Sequence, residues 1–554
     1  MITNKDLANL MYPNITKSPC DYEKKYPERK LPEGAVVSRF APSPTGFVHM
    51  GSLLTALVAA KVPKDTRGIF FLRIEDTDGK RKVENGIQGI IDDLVNFDIQ
   101  IDEGVVSESE EKGKYGPYVQ TRRKEIYDTY AKYMIENDLA YPCFCTEKEL
   151  ENIRDRQEKN KERIGYYGSF AKCRYLSIDE AYRRIKNGEK YVIRLKSPGN
   201  FNKKIEFNDL VRGKMVFPEN DIDVILVKSD GIPVYHFAHV IDDHLMRTTH
   251  ILRGEEWLSS TPVHLQLFEM LKFKAPRYAH LGLVMKIDED GTRRKLSKRK
   301  DPEAAVSYYH ERGIPAEAVK LYLMTLANSN FEEWLNQNID KGIDDFTFNF
   351  KKMSMSGSLF DVEKLLNISR NYISRLSKEE VYRGLCAWAL EFDNDFYNLI
   401  VKYKNYTLDI LNIEREQKKP RKDYANYSEI KEQIFYMYDE LYNPSDYEWG
   451  NISEKQEIIH ILDVYMDNYF DVSDKDNWFN KIKELTDDLG YASNMKEYKI
   501  NPHEYKGSVA DISTVLRVAI TSKCMTPDLY VIMKLLGKER IQTRLKLLKE
   551  KLSL

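Results

Sequence analysis

A chain of 554 residues, 42% apolar and 31% charged, is long enough for about three or four domains at roughly 150 residues each, every one able to bury a core. A peptide hormone and a lone binding module are excluded. The 85 Lys and Arg against 87 Asp and Glu leave a formal net charge of -2, so overall charge advertises no nucleic-acid partner. A polyanion must be held by local basic patches, the densest being residues 293–300, RRKLSKRK. No apolar run approaches the roughly 18 residues that a bilayer span needs, and the start lacks the basic flank and apolar run of a signal peptide. A cytoplasmic protein without a membrane partner is expected. The 6 cysteines are too few for a disulfide scaffold, so clustered ones read as metal ligands or buried thiols.

In chain order, residues 1–34 are polar and proline-bearing, with a KKYPERK run, and read as an extension with marginal structure of its own. Residues 35–40, AVVSRF, are β-branched and flanked by turn formers, which suits a buried strand. APSPTG follows and cannot be helix, because its prolines remove donors and fix the backbone in turns. From residue 51 the pattern becomes helical, LLTALVAAK, and GIFFLRI at 68–74 is a second strand. This βαβ unit implies a parallel sheet. Residues 115–220 hold charged helices, a cysteine cluster and Gly and Pro turns, and read as an insertion. The sheet is expected to resume with buried strands at 222–227 (IDVILV) and 280–285, with a helix at 261–273 between them. After 301 the chain becomes mostly helical, with amphipathic segments at 316–327 and 509–520 and a basic terminal helix from 538.

The sharpest chemical signal is residues 39–52, RFAPSPTGFVHMGS, followed by RIEDTD at 73–78. A strand feeding a helix N-terminus makes an anion site, since unpaired N–H groups and the positive dipole end face outward together. His49 sits where a phosphate would meet that terminus; an ordinary crossover turn with a surface histidine is the alternative. The second signal is KLSKR at 295–299, which by itself reads as a solvated basic loop. Together the two suit phosphoryl chemistry. A transferred phosphoryl group is handled by positioning and charge neutralisation, and a mobile loop can bring Lys298 over a nucleotide seated near His49.

The pair resembles the two signature motifs of class I aminoacyl-tRNA synthetases, and the wording around it is similar to glutamyl-tRNA synthetases. RFAPSPTGFVHMGS, RIEDTD, VYHFAHVIDDHLM, HILRGEEW and KLSKRK fall in that family's order, and FDVEKLLNISRNYI continues the likeness to residue 373. Ser52 replaces the second histidine of the class pattern, and KLSKR replaces Lys-Met-Ser-Lys-Ser; the glutamyl branch commonly carries both changes. The resemblance implies an α/β fold. A doubly wound, Rossmann-like catalytic domain (35–114 and 221–300) would carry an inserted α+β acceptor-stem-binding domain (115–220). A connecting helical domain (301–375) and an all-helical anticodon-binding region (376–554) would follow. The implied activity is glutamate–tRNA ligation by a monomer: L-glutamate is activated by ATP with Mg²⁺ and transferred to tRNA(Glu).

Residue by residue, the resemblance implies a glutamate pocket of Arg39, Ala41, Ser43, Glu75, Tyr235, His239 and Arg253. Charge logic agrees, because a guanidinium fork grips a carboxylate bidentately and leaves an amide unsatisfied. Glu75 would take the substrate ammonium, and Tyr235 would donate a hydroxyl. His239 stands where relatives often carry Asn or another small residue. His49, Gly51, Glu256, Lys295, Ser297 and Lys298 would meet ATP, with His49 and Lys298 as the catalytic pair. Asp242 and Asp243 point to framework roles. Cys143, Cys145 and, after 27 intervening residues, Cys173 resemble the partial zinc motif in the insertion of some glutamyl enzymes. Three thiolates need a fourth ligand for a closed tetrahedral site. Tyr167 or Tyr166 is the oxygen that the resemblance offers, and a metal-free loop is the alternative.

The tyrosines between residues 424 and 469 admit base stacking, although tyrosines at helical spacing ordinarily fill cores. A glutaminyl enzyme would carry Pro-Glu-Pro-Asn-Gly where this chain has PSPTG. Truncated glutamyl enzymes that modify a tRNA base lack the long helical region. A synthetase-like protein with a dead site would not be expected to keep Arg39, His49, Glu75, Arg253 and Lys298.

Overall fold

The computed structural model describes residues 2–44, 46, 48–77, 83–297 and 299–553. The chain forms two compact units, one from Met1–Tyr308 with Lys320–Asp361, the other from Tyr309–Val319 with Val362–Leu554.

The first unit opens with two short helices, α1 (Asn4–Met11) and α2 (Pro19–Lys25), each started by a capping box. The sheet then begins with β1 (Val37–Phe40), α3 (Met50–Thr66), β2 (Ile69–Leu72), α4 (Gly86–Asn96), β3 (Glu103–Val105) and β4 (Glu111–Lys112). β1, β2 and β3 run parallel, and β4 closes the edge antiparallel, as the βαβ pattern requires. α3 is apolar nearly all round, and Leu53, Leu54, Ala56, Leu57, Val58 and Ala59 are buried where it packs on β1 and β2. A helix of that composition is stable only when covered on most sides.

The inserted segment follows as α5 (Lys124–Glu136), β5 (Ala140–Cys143), α6 (Glu147–Lys159), α7 (Ile178–Lys186), β6 (Val192–Leu195), a hairpin of β7 (Lys204–Asp209) and β8 (Gly213–Pro218), and β9 (Ile225–Val227). Here the structure corrects one expectation. The strand read at 222–227 does not resume the catalytic sheet, because β9 pairs antiparallel with β6, which pairs with β5. An apolar run tells that a strand is buried but not which sheet buries it. The catalytic sheet resumes after α8 (Tyr235–Leu245), with β10 (His250–Gly254), α9 (Thr261–Met270) and β11 (Arg277–Leu281), and β10 and β11 run parallel. Thr249 N donates to Val37 O at 2.9 Å, which lays this pair alongside β1. The chain thus proceeds outward from β1 in two directions. The crevice beyond the C-terminal ends of β1 and β10 is the switch point at which such sheets take ligands. A small sheet of β12 (Val284–Ile287), β13 (Arg293–Lys295) and β14 (Ser358–Leu359) completes the unit.

Residues 1–34 also depart from expectation. Leu7, Ala8, Tyr22 and Tyr26 are buried, and α1 packs on α5 and α7. Arg29 makes a two-pronged bond to Glu103, at 2.9 and 3.0 Å, while Glu23 binds both His244 and Arg247. A polar composition concealed a few well-spaced anchors. In the second unit, helices such as Lys378–Phe392, Val509–Thr521 and Lys538–Ser553 surround one core. Tyr424, Tyr436, Tyr438 and Tyr465 lie in that core, and Tyr427, Tyr442, Tyr447 and Tyr469 pack against it. Core filling is therefore what these rings do in the structure. Among the described residues no helix is long and apolar enough to cross a membrane.

Tyr26 is fully buried, its hydroxyl donates to Gly116 O at 2.7 Å, and its own carbonyl accepts from Arg247. Tyr26→Ala should destabilise the first unit by about 3 kcal/mol, read from its urea unfolding transition. An unchanged transition would mean that the extension is dispensable to the fold.

Candidate active site

A cleft of about 320 Å³ opens at the switch point, between the ends of β1 and β10 and the start of α3. Arg39, Ala41 and Ser43 line it from β1 onward, Glu75 from beyond β2, Tyr235 from the first turn of α8, and Arg253 from β10. Strand ends reach it because successive residues alternate faces while the last ones clear the sheet edge.

The floor is a buried charge cluster. Arg39 Nε donates to Asp243 Oδ1 at 3.0 Å and its Nη1 donates to Leu252 O at 3.3 Å. Its Nη2 has no protein acceptor among the described residues. Arg73, fully buried, donates to Asp243 Oδ1 at 3.0 Å and to Glu75 Oε1 at 3.0 Å. Burial pushes the Glu75 carboxyl up, with Arg73 and Arg39 opposing it. A cation brought into the cleft beside Glu75 would relieve that cost. Burial also opposes ionisation of Asp243, yet Arg39 and Arg73 hold its carboxyl well below the usual carboxylate range.

Arg253 differs from Arg39. Its partners are the neutral groups His280, His264, Tyr235, Thr261 and the Trp257 carbonyl, and no carboxylate pairs with it among the described residues. Tyr235 lies against Trp257 with ring centroids 4.2 Å apart and the planes tilted by 38°. His239 does not line the cleft. It is fully buried behind Tyr235, ring centroids 5.3 Å apart, with Nδ1 2.6 Å from Asp243 Oδ2. Burial lowers its pKa to about 3, so it is a neutral wall rather than a substrate contact. The expectation for His239 is corrected accordingly; position in a motif does not reveal which way a helix turns a side chain.

His49 caps α3, and its Nδ1 accepts from Ser52 N at 3.1 Å. His49 and Gly51 both line the cleft at this helix start. A Cβ on Gly51 would sit 3.2 Å from the His49 ring, so the close seat depends on that glycine. At the opposite rim, Glu256 and Lys295 approach each other to 3.7 Å, each about half exposed. Lys295 ends β13, so the KLSKR run starts on a strand rather than in a loop. Ser297 falls outside the cleft wall; its N–H donates to Asp301 at 2.8 Å and its hydroxyl accepts from Arg299 N. Lys298 lies outside the described residues. Arg294, inside the basic run, is held by Asp288 and Asp301, which removes it from any free positive patch.

Trp257, His264, His280 and Asp209 were not foreseen as part of this site. Trp257 sits within HILRGEEW and was within reach of the motif; the other three come from α9, β11 and β7, with no local signal.

A second cluster lies in the inserted segment. The sulfurs of Cys143, Cys145 and Cys173 fall within 4.8 Å of one another, the only such group of potential metal ligands among the described residues. Cys145 and Cys173 sulfurs are 3.6 Å apart, close to the roughly 3.8 Å edge of a zinc–thiolate tetrahedron. The oxygen beside them is that of Tyr166, 3.2 Å from Cys145 and 3.5 Å from Cys143. Tyr167 points away and donates to Arg163 O at 2.7 Å, so of the two tyrosines that the resemblance offers only Tyr166 faces the sulfurs. Adjacent residues in extended backbone face opposite sides, and only one of them can meet the sulfurs. Hydrogen bonds from Cys145 and Cys173 hold the Cys143 thiol well below the ordinary thiol range.

The family described as tRNA synthetases class I (E and Q), catalytic domain, matches residues 35–367, and an anticodon binding domain matches residues 500–548. A glutamate–tRNA ligase of Clostridium perfringens (strain SM101 / Type A) is 48% identical over 545 residues, covering 98% of this chain and 99% of that protein. One from Acetivibrio thermocellus is 46% identical, with 98% and 99% covered. Among solved structures, a glutamate tRNA ligase from Elizabethkingia meningosepticum in complex with its amino acid superposes with a TM-score of 0.73 at 26% identity. It covers 93% of this chain and 99% of its own.

Proposed function

The chain belongs to the glutamate–tRNA ligases, within the class I tRNA synthetases, and from that premise we propose how its cleft activates glutamate and hands it to tRNA(Glu). The single observation that carries the site assignment is Arg253, a buried guanidinium at the cleft wall with neutral partners only, in a cleft that the buried carboxylate of Glu75 also lines. The cleft thus offers a guanidinium for a carboxylate and a carboxylate for an ammonium, which are the charges that an acidic amino acid carries. The open Nη2 of Arg39 supplies a second donor, and Tyr235 a hydroxyl, with Ala41 and Ser43 forming the wall between.

Activation proceeds by attack of the glutamate α-carboxylate oxygen on the α-phosphorus of ATP. The bond from that phosphorus to its bridging oxygen breaks, and diphosphate leaves. The terminal ribose hydroxyl of the tRNA then attacks the acyl carbon, and AMP leaves with the bond electrons. His49 and Gly51 at the N-terminus of α3 receive phosphate oxygens, where helix N–H groups and dipole favour negative charge. Glu256 and Lys295 meet the nucleotide at the rim, and Ser297, whose N–H donates to Asp301, anchors the chain just after β13. Lys298 neutralises charge developing in the transition state. A Mg²⁺ ion would come with ATP, carried mainly by its phosphates. A cytoplasmic, monomeric enzyme is the setting for this reading.

The reading is tested by glutamate-dependent exchange of diphosphate into ATP, with and without tRNA(Glu). Arg253→Met should cut kcat/KM for glutamate roughly 30-fold to several thousandfold, the effect of losing one partner of a buried charge pair. Lys298→Ala should slow adenylate formation by about 100-fold or more, and Lys300→Ala should not. Absence of glutamate-dependent exchange in both conditions would overturn the function. Equal, small losses at both lysines would return the KLSKR run to a solvated basic loop.

For the cysteine cluster we propose one structural zinc, held by Cys143, Cys145 and Cys173 with the Tyr166 oxygen as fourth ligand. Its contribution would be to pin β5 to the turn at Lys172–Tyr175. Purified protein should contain close to one equivalent of zinc by elemental analysis, and Cys173→Ser should lose it. Metal-free, fully active protein would leave the cluster as packing.

A further inference from the structure

Behind the cleft, a chain of hydrogen bonds leads from Arg253 to the tip of the β7–β8 hairpin. Arg253 Nε donates to His280 Nε2 at 3.0 Å, and His280 Nδ1 lies 2.7 Å from Asp209 Oδ2. All three side chains are buried. Asp209 is itself fixed, because Oδ1 accepts from Val211 N and Arg212 N, both at 3.0 Å, and Oδ2 accepts from His280 N at 3.1 Å.

These bonds determine the histidine's tautomer. A carboxylate carries no proton of its own, so the proton in the Asp209–His280 bond sits on Nδ1. A neutral imidazole has one N–H, which leaves Nε2 as a lone pair aimed at Arg253. Burial keeps the ring neutral by pushing its pKa down, with Arg253 acting in the same direction against Asp209. Had a carboxylate stood in place of His280, Arg253 would be neutralised before any ligand arrived. The imidazole holds the guanidinium in place and leaves its charge available.

We propose that His280, set by Asp209, is a positioning residue that orients Arg253 for the acidic substrate and ties this orientation to the hairpin of the inserted segment. The proposal rests on the reading of Arg253 given above. The hairpin tip has a second hold on the same wall: Arg212 pairs with Glu255, next to the rim residue Glu256, and donates to His280 O at 3.4 Å. A movement of this tip therefore reaches the Arg253 guanidinium through one imidazole and the cleft rim through one ion pair.

Asp209→Asn is the discriminating variant. It conserves volume, but the asparagine amide N–H can donate to Nδ1. The imidazole proton would then move to Nε2, where it confronts the Arg253 N–H. The amide also sets an N–H against a backbone N–H at Val211 and Arg212 or at His280 and so costs stability, which makes the discriminating readout the split between the two KM values rather than the loss of activity itself. In the full chain, Asp209→Asn and His280→Ala should raise KM for glutamate roughly tenfold or more, as expected for lost bonds to a charged group. KM for ATP should change by less than about twofold, the pattern of weakened ground-state binding of one substrate. His280→Gln, which offers an acceptor oxygen near the place of Nε2, should recover most of the loss. The proposal is overturned if Asp209→Asn keeps the glutamate KM and melting curve of the parent. It is equally overturned if both KM values rise together in proportion to lost stability. Arg253→Met separates the two readings: an unchanged glutamate KM there removes Arg253 from the pocket and this proposal with it. A rise confined to Arg253→Met removes only the relay.

Discussion

The cleft depends on one buried carboxylate. Asp243 accepts from Arg39 Nε and Arg73 Nη1, each at 3.0 Å, and from Thr248 Oγ1 at 2.9 Å, and it touches His239. Taking ions from water costs several kcal/mol each, and only a fully partnered arrangement offsets that. Asp243 is partnered on every side, by groups from β1, from the end of β2, from its own helix and from the approach to β10. The contact that makes Arg39 affordable in the interior also fixes where its remaining donor points.

The neighbouring Asp242 does the same work for the inserted segment. Arg123 Nε reaches it at 2.6 Å, Tyr127 OH at 2.8 Å and Gln120 Nε2 at 3.0 Å, all at the entrance to α5. Two consecutive residues of α8 therefore share Arg73 at the cleft floor, Asp243 at 3.0 Å and Asp242 at 3.8 Å, while Asp242 also ties that floor to the insertion. Their framework role follows from saturation: carboxylates with every oxygen occupied by protein donors have nothing left for a metal or a substrate. Arg253 is the complementary case, a cation surrounded by neutral acceptors and so still able to attract an anion.

Local rules made the elements legible beforehand, and the family resemblance supplied the motif residues. Strand, proline-rich turn and helix at 35–66 follow from β-branching, missing donors and apolar periodicity, and the motif residues Arg39, His49, Glu75, Tyr235 and Arg253 do line one cleft. What stayed hidden needed the third dimension. β9 reads as a buried strand in either sheet. His239 and Tyr167 each sit in the right segment with the side chain turned away. His264, His280 and Asp209 converge on Arg253 from separate elements, and nothing in their neighbours announces it. The extension looked unstructured because its anchors are few and widely spaced.

The central claim, that the Asp243 charge holds the guanidinium of Arg39 in place at the cleft for the proposed glutamate site, is tested most directly by Asp243→Asn with glutamate affinity and thermal unfolding measured on the same preparation. Asparagine keeps the volume and one acceptor while removing the charge, so the account predicts a loss of about 3 to 5 kcal/mol in stability. Glutamate binding should weaken roughly tenfold or more in the protein that remains folded. An Asp243→Asn protein that melts at the parent temperature and binds glutamate with parent affinity would contradict it.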